Sequence, residues 1–106
     1  MENNHLTIND LTEKMHALVR SKGWYEAESK RPQTPRNLAI SLSLEAAEIL
    51  EHFQWQDEPR EKDELASELA DVGLYLLQLA AVSNIDLEQA ILDKIGINKT
   101  RTWDDK

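Results

Sequence analysis

The chain has no cysteine, so it can build neither a disulfide framework nor a thiolate metal site. Only three glycines and three prolines interrupt its 106 residues, which tilts the composition toward helix formers. Basic residues are also short, 12 against 20 acidic, giving a net charge of −8. That balance excludes broad binding to a nucleic-acid polymer, which needs a basic footprint. The longest strongly apolar stretch, around Val72 to Val82, is too short and interrupted to span a bilayer. Met1 to His5 carries neither a basic region nor an apolar core of the signal-peptide kind. A cytoplasmic protein with no membrane partner is expected, and the length suits one domain over residues 1–106.

What is present is helical periodicity. Thr7 with Asp10 reads as an N-terminal cap, and Ile8, Leu11, Met15, Leu18 and Val19 form a stripe from Ile8 to about Ser21, ended by Gly23. Residues 23–33 are irregular. Thr34-Pro35 starts a second helix that runs to about Phe53. Pro59 marks a third, reaching about Ser83, and Asp86 with Gln89 caps a short fourth to about Ile95. Asn98 to Trp103 then reads as a basic, aromatic tail. No period-2 strand appears, so the expected fold is all-α with four helices.

Two acidic pairs interrupt the apolar helices: Glu45-Ala46-Ala47-Glu48 on the second and Glu68-Leu69-Ala70-Asp71 on the third. Spacing i,i+3 puts both acids of a pair on one side of a helix. At about 100° per residue, Leu38, Ile49, Leu42, Phe53, Ala46 and Leu50 form one arc, and Leu79, Val72, Leu65, Leu76 and Leu69 the other. Glu45 and Glu68 lie at the arc edges, with Glu48 and Asp71 one step outside. Packing the arcs brings four acids to one rim. Such oxygen donors suit Mg²⁺ or Mn²⁺, which keep waters that a phosphate can displace. The plain alternative for any i,i+3 pair is a solvated face, but neither pair has an i+4 Lys or Arg. A di-iron bundle is rejected because it wants Glu-x-x-His motifs on the helices that carry the acids, and neither acidic pair supplies one: Glu48 and His52 are four apart. His52 reads as a partly exposed helix residue. Leu74, Leu77 and Ala70 extend apolar surface beyond the third helix's arc, so that helix is expected to be covered on two sides.

In this order the acids resemble the ExxE…ExxD signature of the all-α nucleoside triphosphate pyrophosphohydrolases, the MazG-like and dUTPase-like group. Pro35-Arg36-Asn37-Leu38, Phe53-Gln54-Trp55 and Lys94 to Lys99 bring the chain nearest the small dCTP pyrophosphatase-type branch. The resemblance spans about residues 20–101. It implies a four-helix MazG-like bundle that assembles as a dimer or a dimer of dimers. It also implies Mg²⁺-dependent hydrolysis of a (deoxy)nucleoside triphosphate to the monophosphate and pyrophosphate. Glu45, Glu48, Glu68 and Asp71 would then be the metal-holding catalytic residues; Lys94, Asn98, Lys99 and Arg101 would bind phosphate. Trp55 and Trp24 are candidates to stack on the base, with Asn37 near sugar or base. Gln33-Thr34 stands where the branch has His-Gln, and the link from Trp55 to Arg60 is short, so base preference stays open. The other functional class is a non-catalytic interaction or regulatory module on the same scaffold.

Overall fold

The computed structural model describes residues 5–102, which form four helices and no strand: α1 (Ile8–Ser21), α2 (Pro35–Glu51), α3 (Lys62–Val82) and α4 (Leu87–Lys99). The Thr7 hydroxyl accepts from the Asp10 amide while the Asp10 carboxylate accepts from the Thr7 amide, both at 3.0 Å, and these close the first turn of α1. Gly23 ends it in the left-handed region at φ +71. The Trp24 amide reaches back to the Val19 carbonyl and the Gly23 amide to that of Arg20, so two of the helix's free carbonyls are satisfied. Asn84, at φ 60, ends α3 in the same way through Ile85 and Ala80.

Three boundaries differ from the sequence reading. α2 stops at Glu51, leaving His52 as its cap and Phe53 outside. α3 starts at Lys62 rather than Pro59, because Glu61, two residues beyond that proline, accepts from the Asp63 amide and caps the helix. α4 runs on to Lys99, so Asn98 and Lys99 are helical rather than part of a tail; Trp103 lies outside the described residues.

α3 is the central helix, packed most extensively on α2 and also on α1, while α4 touches α1 and α3 but not α2. Met15, Val19 and Leu77 form the buried cluster, with Ile8, Trp24, Tyr25 and Leu87 against it. α3 is thus covered on two sides as expected, but Leu77, expected as spare surface, is buried by α1 within the same chain. By length and composition α3 as a whole could cross a membrane, which the shorter stretch Val72–Val82 did not suggest.

The packed arcs are also rotated toward the acids. His52 and Leu38 are buried and Glu45, Ile49 and Leu42 half-buried, whereas Ala46 and Leu50, expected inside, are exposed. On α3, Glu68, Val72, Tyr75 and Leu79 are half-buried while Leu69 and Leu76 face outward. The far rim of the α2–α3 pair is therefore an uncovered apolar strip. Globally the surface is large: 8323 Å², where a compact monomer of 12.2 kDa exposes about 6,000 Å². The radius of gyration, 16.5 Å, likewise exceeds the roughly 13 Å of a compact domain this long.

Candidate active site

α2 and α3 present the four acids as their wheel positions require. Glu45 and Glu68 are half-buried, Glu48 and Asp71 exposed. Partial burial holds the Glu45 carboxyl above the usual carboxylate range, and the charges of Glu48, Asp71 and Glu68 push it the same way. Glu45 therefore feels all three other acids, two of them from the neighbouring helix. Among the described residues no three Asp, Glu, His or Cys side chains converge closely enough to ligate one ion. Gathering an ion here requires the longer side chains to rotate inward. The donor chemistry, four hard oxygens under mutual repulsion, fits Mg²⁺ or Mn²⁺.

Among the described residues, Glu68 is the one acid of the four with a side-chain hydrogen bond. Its partner is His52, whose Nε2 lies 2.9 Å from Oε1. His52 is 1% exposed, not partly exposed as its helical position suggested. It sits just beside Glu45 on the wheel, and the rotation of the packed arc carries it inside.

One turn from the acids lies a cavity of about 280 Å³ lined by Trp24, Lys30, Arg31, Pro32, Gln33, Asn37, Leu38, Ser41, Tyr75 and Gln78. Ser41 precedes Glu45 by one turn of α2, and Tyr75 follows Asp71 by one turn of α3. The loop before α2 forms the other wall. Arg31 stacks its guanidinium 5.3 Å from the centre of the Trp24 ring, and the Asn37 amide donates to the Pro32 carbonyl at 3.0 Å. The Gln78 amide donates to Gln33 at 2.6 Å. Burial raises the Tyr25 phenol above its ordinary pKa, opposed by a hydrogen bond from Gln78 and the charge of Arg20. The His16 ring meets the same phenol oxygen at 2.6 Å.

Trp24 and Asn37 thus line the cavity as candidates for base and sugar. Trp55 does not; it stands 87% exposed in the turn after α2. Lys94, Lys99 and Arg101 are exposed and Asn98 half-buried. Among the described residues α4 packs on α1 and α3, the latter carrying Glu68 and Asp71, without reaching α2, and no ion pair of Lys94 or Lys99 with an acid is found. Sequence reasoning missed Gln78 and Gln33 as partners. The available signal was an amide in the run Leu76-Leu77-Gln78-Leu79-Ala80, where a buried polar group calls for a partner.

This arrangement, two i,i+3 acid pairs facing each other on adjacent helices of an all-α bundle, is that of a MazG-like protein. Residues 40–106 match the model of the MazG-like family, and the chain belongs to that family. Within it the chain falls in the dCTP pyrophosphatase branch. It is 42% identical over 105 residues to human dCTP pyrophosphatase 1, a match covering 90% of this chain and 58% of that protein. The bovine protein of the same name is 41% identical over 90% of this chain and 59% of its own length. The chain thus spans somewhat under two thirds of the curated relatives it matches. The crystal structure of a pyrophosphatase from Archaeoglobus fulgidus superposes with a TM-score of 0.74 at 34% identity, covering 93% of this chain and 94% of that one.

Proposed function

We propose that the chain, acting as one domain over residues 1–106, hydrolyses a nucleoside triphosphate to the monophosphate and pyrophosphate. The observation that carries this reading is the placement of two i,i+3 acid pairs on the packed helices α2 and α3, near enough that Glu48, Asp71 and Glu68 add to the effect of burial on the Glu45 carboxyl. The names of the relatives support it, and they make dCTP the first substrate to assay.

Glu45, Glu48, Glu68 and Asp71 would hold Mg²⁺. When bound, the ion supplies charge neutralisation at the triphosphate oxygens and lowers the pKa of water. The chain's own groups do the rest. Trp24 and Tyr75 wall the cavity with aromatic faces, Gln33 and Gln78 offer amide donors and acceptors to a base edge, and Lys30 and Arg31 add positive charge at its mouth. A base seated there leaves its triphosphate running about one helical turn, roughly 5 Å, toward the acids. One of these four carboxylates, through an oxygen not engaged with the ion, would accept a proton from the water that attacks the α-phosphorus, and pyrophosphate would depart.

The active form is a homodimer or homotetramer. The excess surface and the uncovered strip of Ala46, Leu50, Leu69 and Leu76 support assembly. A second chain also offers a route by which Lys94, Asn98, Lys99 and Arg101 meet a triphosphate that α2 of their own chain does not bring to them. The other class, a non-catalytic module on the same scaffold, is the alternative to test against. Incubating the protein with each dNTP and Mg²⁺, and measuring phosphate after added inorganic pyrophosphatase, separates the two. Turnover that Glu48→Gln and Asp71→Asn lower by at least about a hundredfold, the scale of losing one preorganised electrostatic group, is the expected result. No turnover of any nucleotide by folded protein would leave the module reading standing.

A further inference from the structure

We propose that His52 is a positioning residue: its Nε2–H holds one oxygen of Glu68 so that the other faces the acidic rim. The inference rests on the reading of the four acids as a metal site. His52 caps α2, and its side chain is wholly enclosed, while the Glu68 side chain on α3 is 22% exposed. The 2.9 Å bond joins a ring with two rotatable bonds to a carboxylate with three, so it removes much of the carboxylate's rotamer freedom.

Two features separate positioning from simple core packing. First, the Nδ1 of His52 is buried with no hydrogen-bond partner among the described residues. A leucine would fill this place between α2 and α3 without burying an unsatisfied nitrogen, so packing alone gives no reason for the imidazole. The Nε2–H tautomer leaves a lone pair at Nδ1, less costly than a stranded N–H. Second, an imidazole N–H orients a carboxylate without supplying the permanent charge of a Lys or Arg. Glu68 is therefore oriented without a fixed cation beside it. Donors behind metal ligands commonly change metal affinity by about 10–100-fold when removed.

The test is Mn²⁺ titration of the whole protein by calorimetry, with no nucleotide present, alongside melting of the metal-free protein. His52→Leu should weaken Mn²⁺ binding about tenfold or more while the metal-free melting temperature holds or rises. His52→Gln places an amide N–H near the position of Nε2 and should restore affinity to within a few-fold; His52→Asn is too short and should not. The ¹⁵N shifts of the His52 ring in the unsubstituted protein should report the Nε2–H tautomer. Unchanged Mn²⁺ affinity in His52→Leu, equal losses in the Gln and Asn variants, or an Nδ1–H tautomer would each overturn the positioning role. Absence of Mn²⁺ binding by the unsubstituted protein, unaltered in Glu68→Gln, would instead overturn the metal reading and this inference with it.

Discussion

Gln78 donates its side-chain amide to the side-chain oxygen of Gln33 across 2.6 Å, joining the middle of α3 to a loop residue 45 positions earlier. Gln78 is buried, so this one amide fixes the loop between α1 and α2 near its α2 end. Replacing it by leucine keeps the volume and removes the bond. Gln78→Leu should cost about 1 kcal/mol, because Gln33 regains water when released. The loop should open enough for trypsin to cut after Lys30, and KM for the nucleotide should rise with kcat little changed. Limited proteolysis and steady-state kinetics measure the two effects. An intact loop and an unaltered KM would show that the pair does not shape the cavity.

The two candidate stacking tryptophans should behave in opposite ways. Trp55 is 87% exposed, so Trp55→Ala should leave the melting temperature almost unmoved. If it stacks on a base in the complex, nucleotide affinity should fall about 5- to 150-fold, the equivalent of about 1–3 kcal/mol. Trp24 packs on Met15 and Val19 and carries Arg31 on its face. Trp24→Ala should therefore cost about 2 kcal/mol of stability, less than for a fully buried aromatic. Thermal melts with a nucleotide titration separate the pair; wild-type affinity in Trp55→Ala would remove that residue from the site.

Helix starts were legible wherever the capping chemistry was local. Thr7 with Asp10, Thr34 with Pro35 and Asp86 with Gln89 each cap the helix that the sequence assigned to them. Pro59 misled because proline's fixed φ serves a turn as well as a first helical residue, and Glu61 supplied the cap. The edge placement of Glu45 and Glu68 followed from helical spacing alone. What spacing could not give was the rotation of the packed arcs: two apolar stripes bury best where their partners fit, and here that direction took His52 in and left Leu50 out. The Gln78–Gln33 bond was invisible for a different reason, since nothing local ties residues 45 apart.

The raised pKa of Glu45 has a definite sign for stability. Between its ordinary value and the raised one, the folded state binds more protons than the unfolded state. The group's contribution is therefore favourable below that window and lost as pH rises through it. At pH 7.5 the metal-free protein carries the full repulsion, and Glu45→Gln should melt higher than the unsubstituted chain. Toward pH 4.5, the group's ordinary value, the difference should shrink. Adding Mn²⁺ should reverse the order, stabilising the unsubstituted chain by mass action and the variant little. Calorimetric scans at both pH values, with and without the ion, check this. A Glu45→Gln protein less stable than the original at pH 7.5 without metal would contradict the repulsion.

The uncovered strip on the far rim of α2 and α3 leads to the last prediction. Leu50 is 68% exposed, and Ala46, Leu69 and Leu76 stand open beside the same helix pair. A further apolar groove of about 410 Å³ lies between α1 and α3, walled by Leu11, Leu18, Ala70, Gly73 and Leu74. Apolar surface on this scale is rare on a monomer and common on a subunit. A specific interface would hide about 1,200–2,000 Å² in total, or about 600–1,000 Å² per chain, which is less than half of the chain's excess over a compact monomer. Sedimentation should therefore find a dimer or tetramer at micromolar concentration. The double variant Leu50→Lys and Leu76→Lys should sediment as a monomer, with lower thermal stability that depends on protein concentration in the parent and not in the variant. If the strip faces water in solution, the same two lysines should alter neither mass nor melting by more than about 0.5 kcal/mol each, and the strip would cease to be an interface.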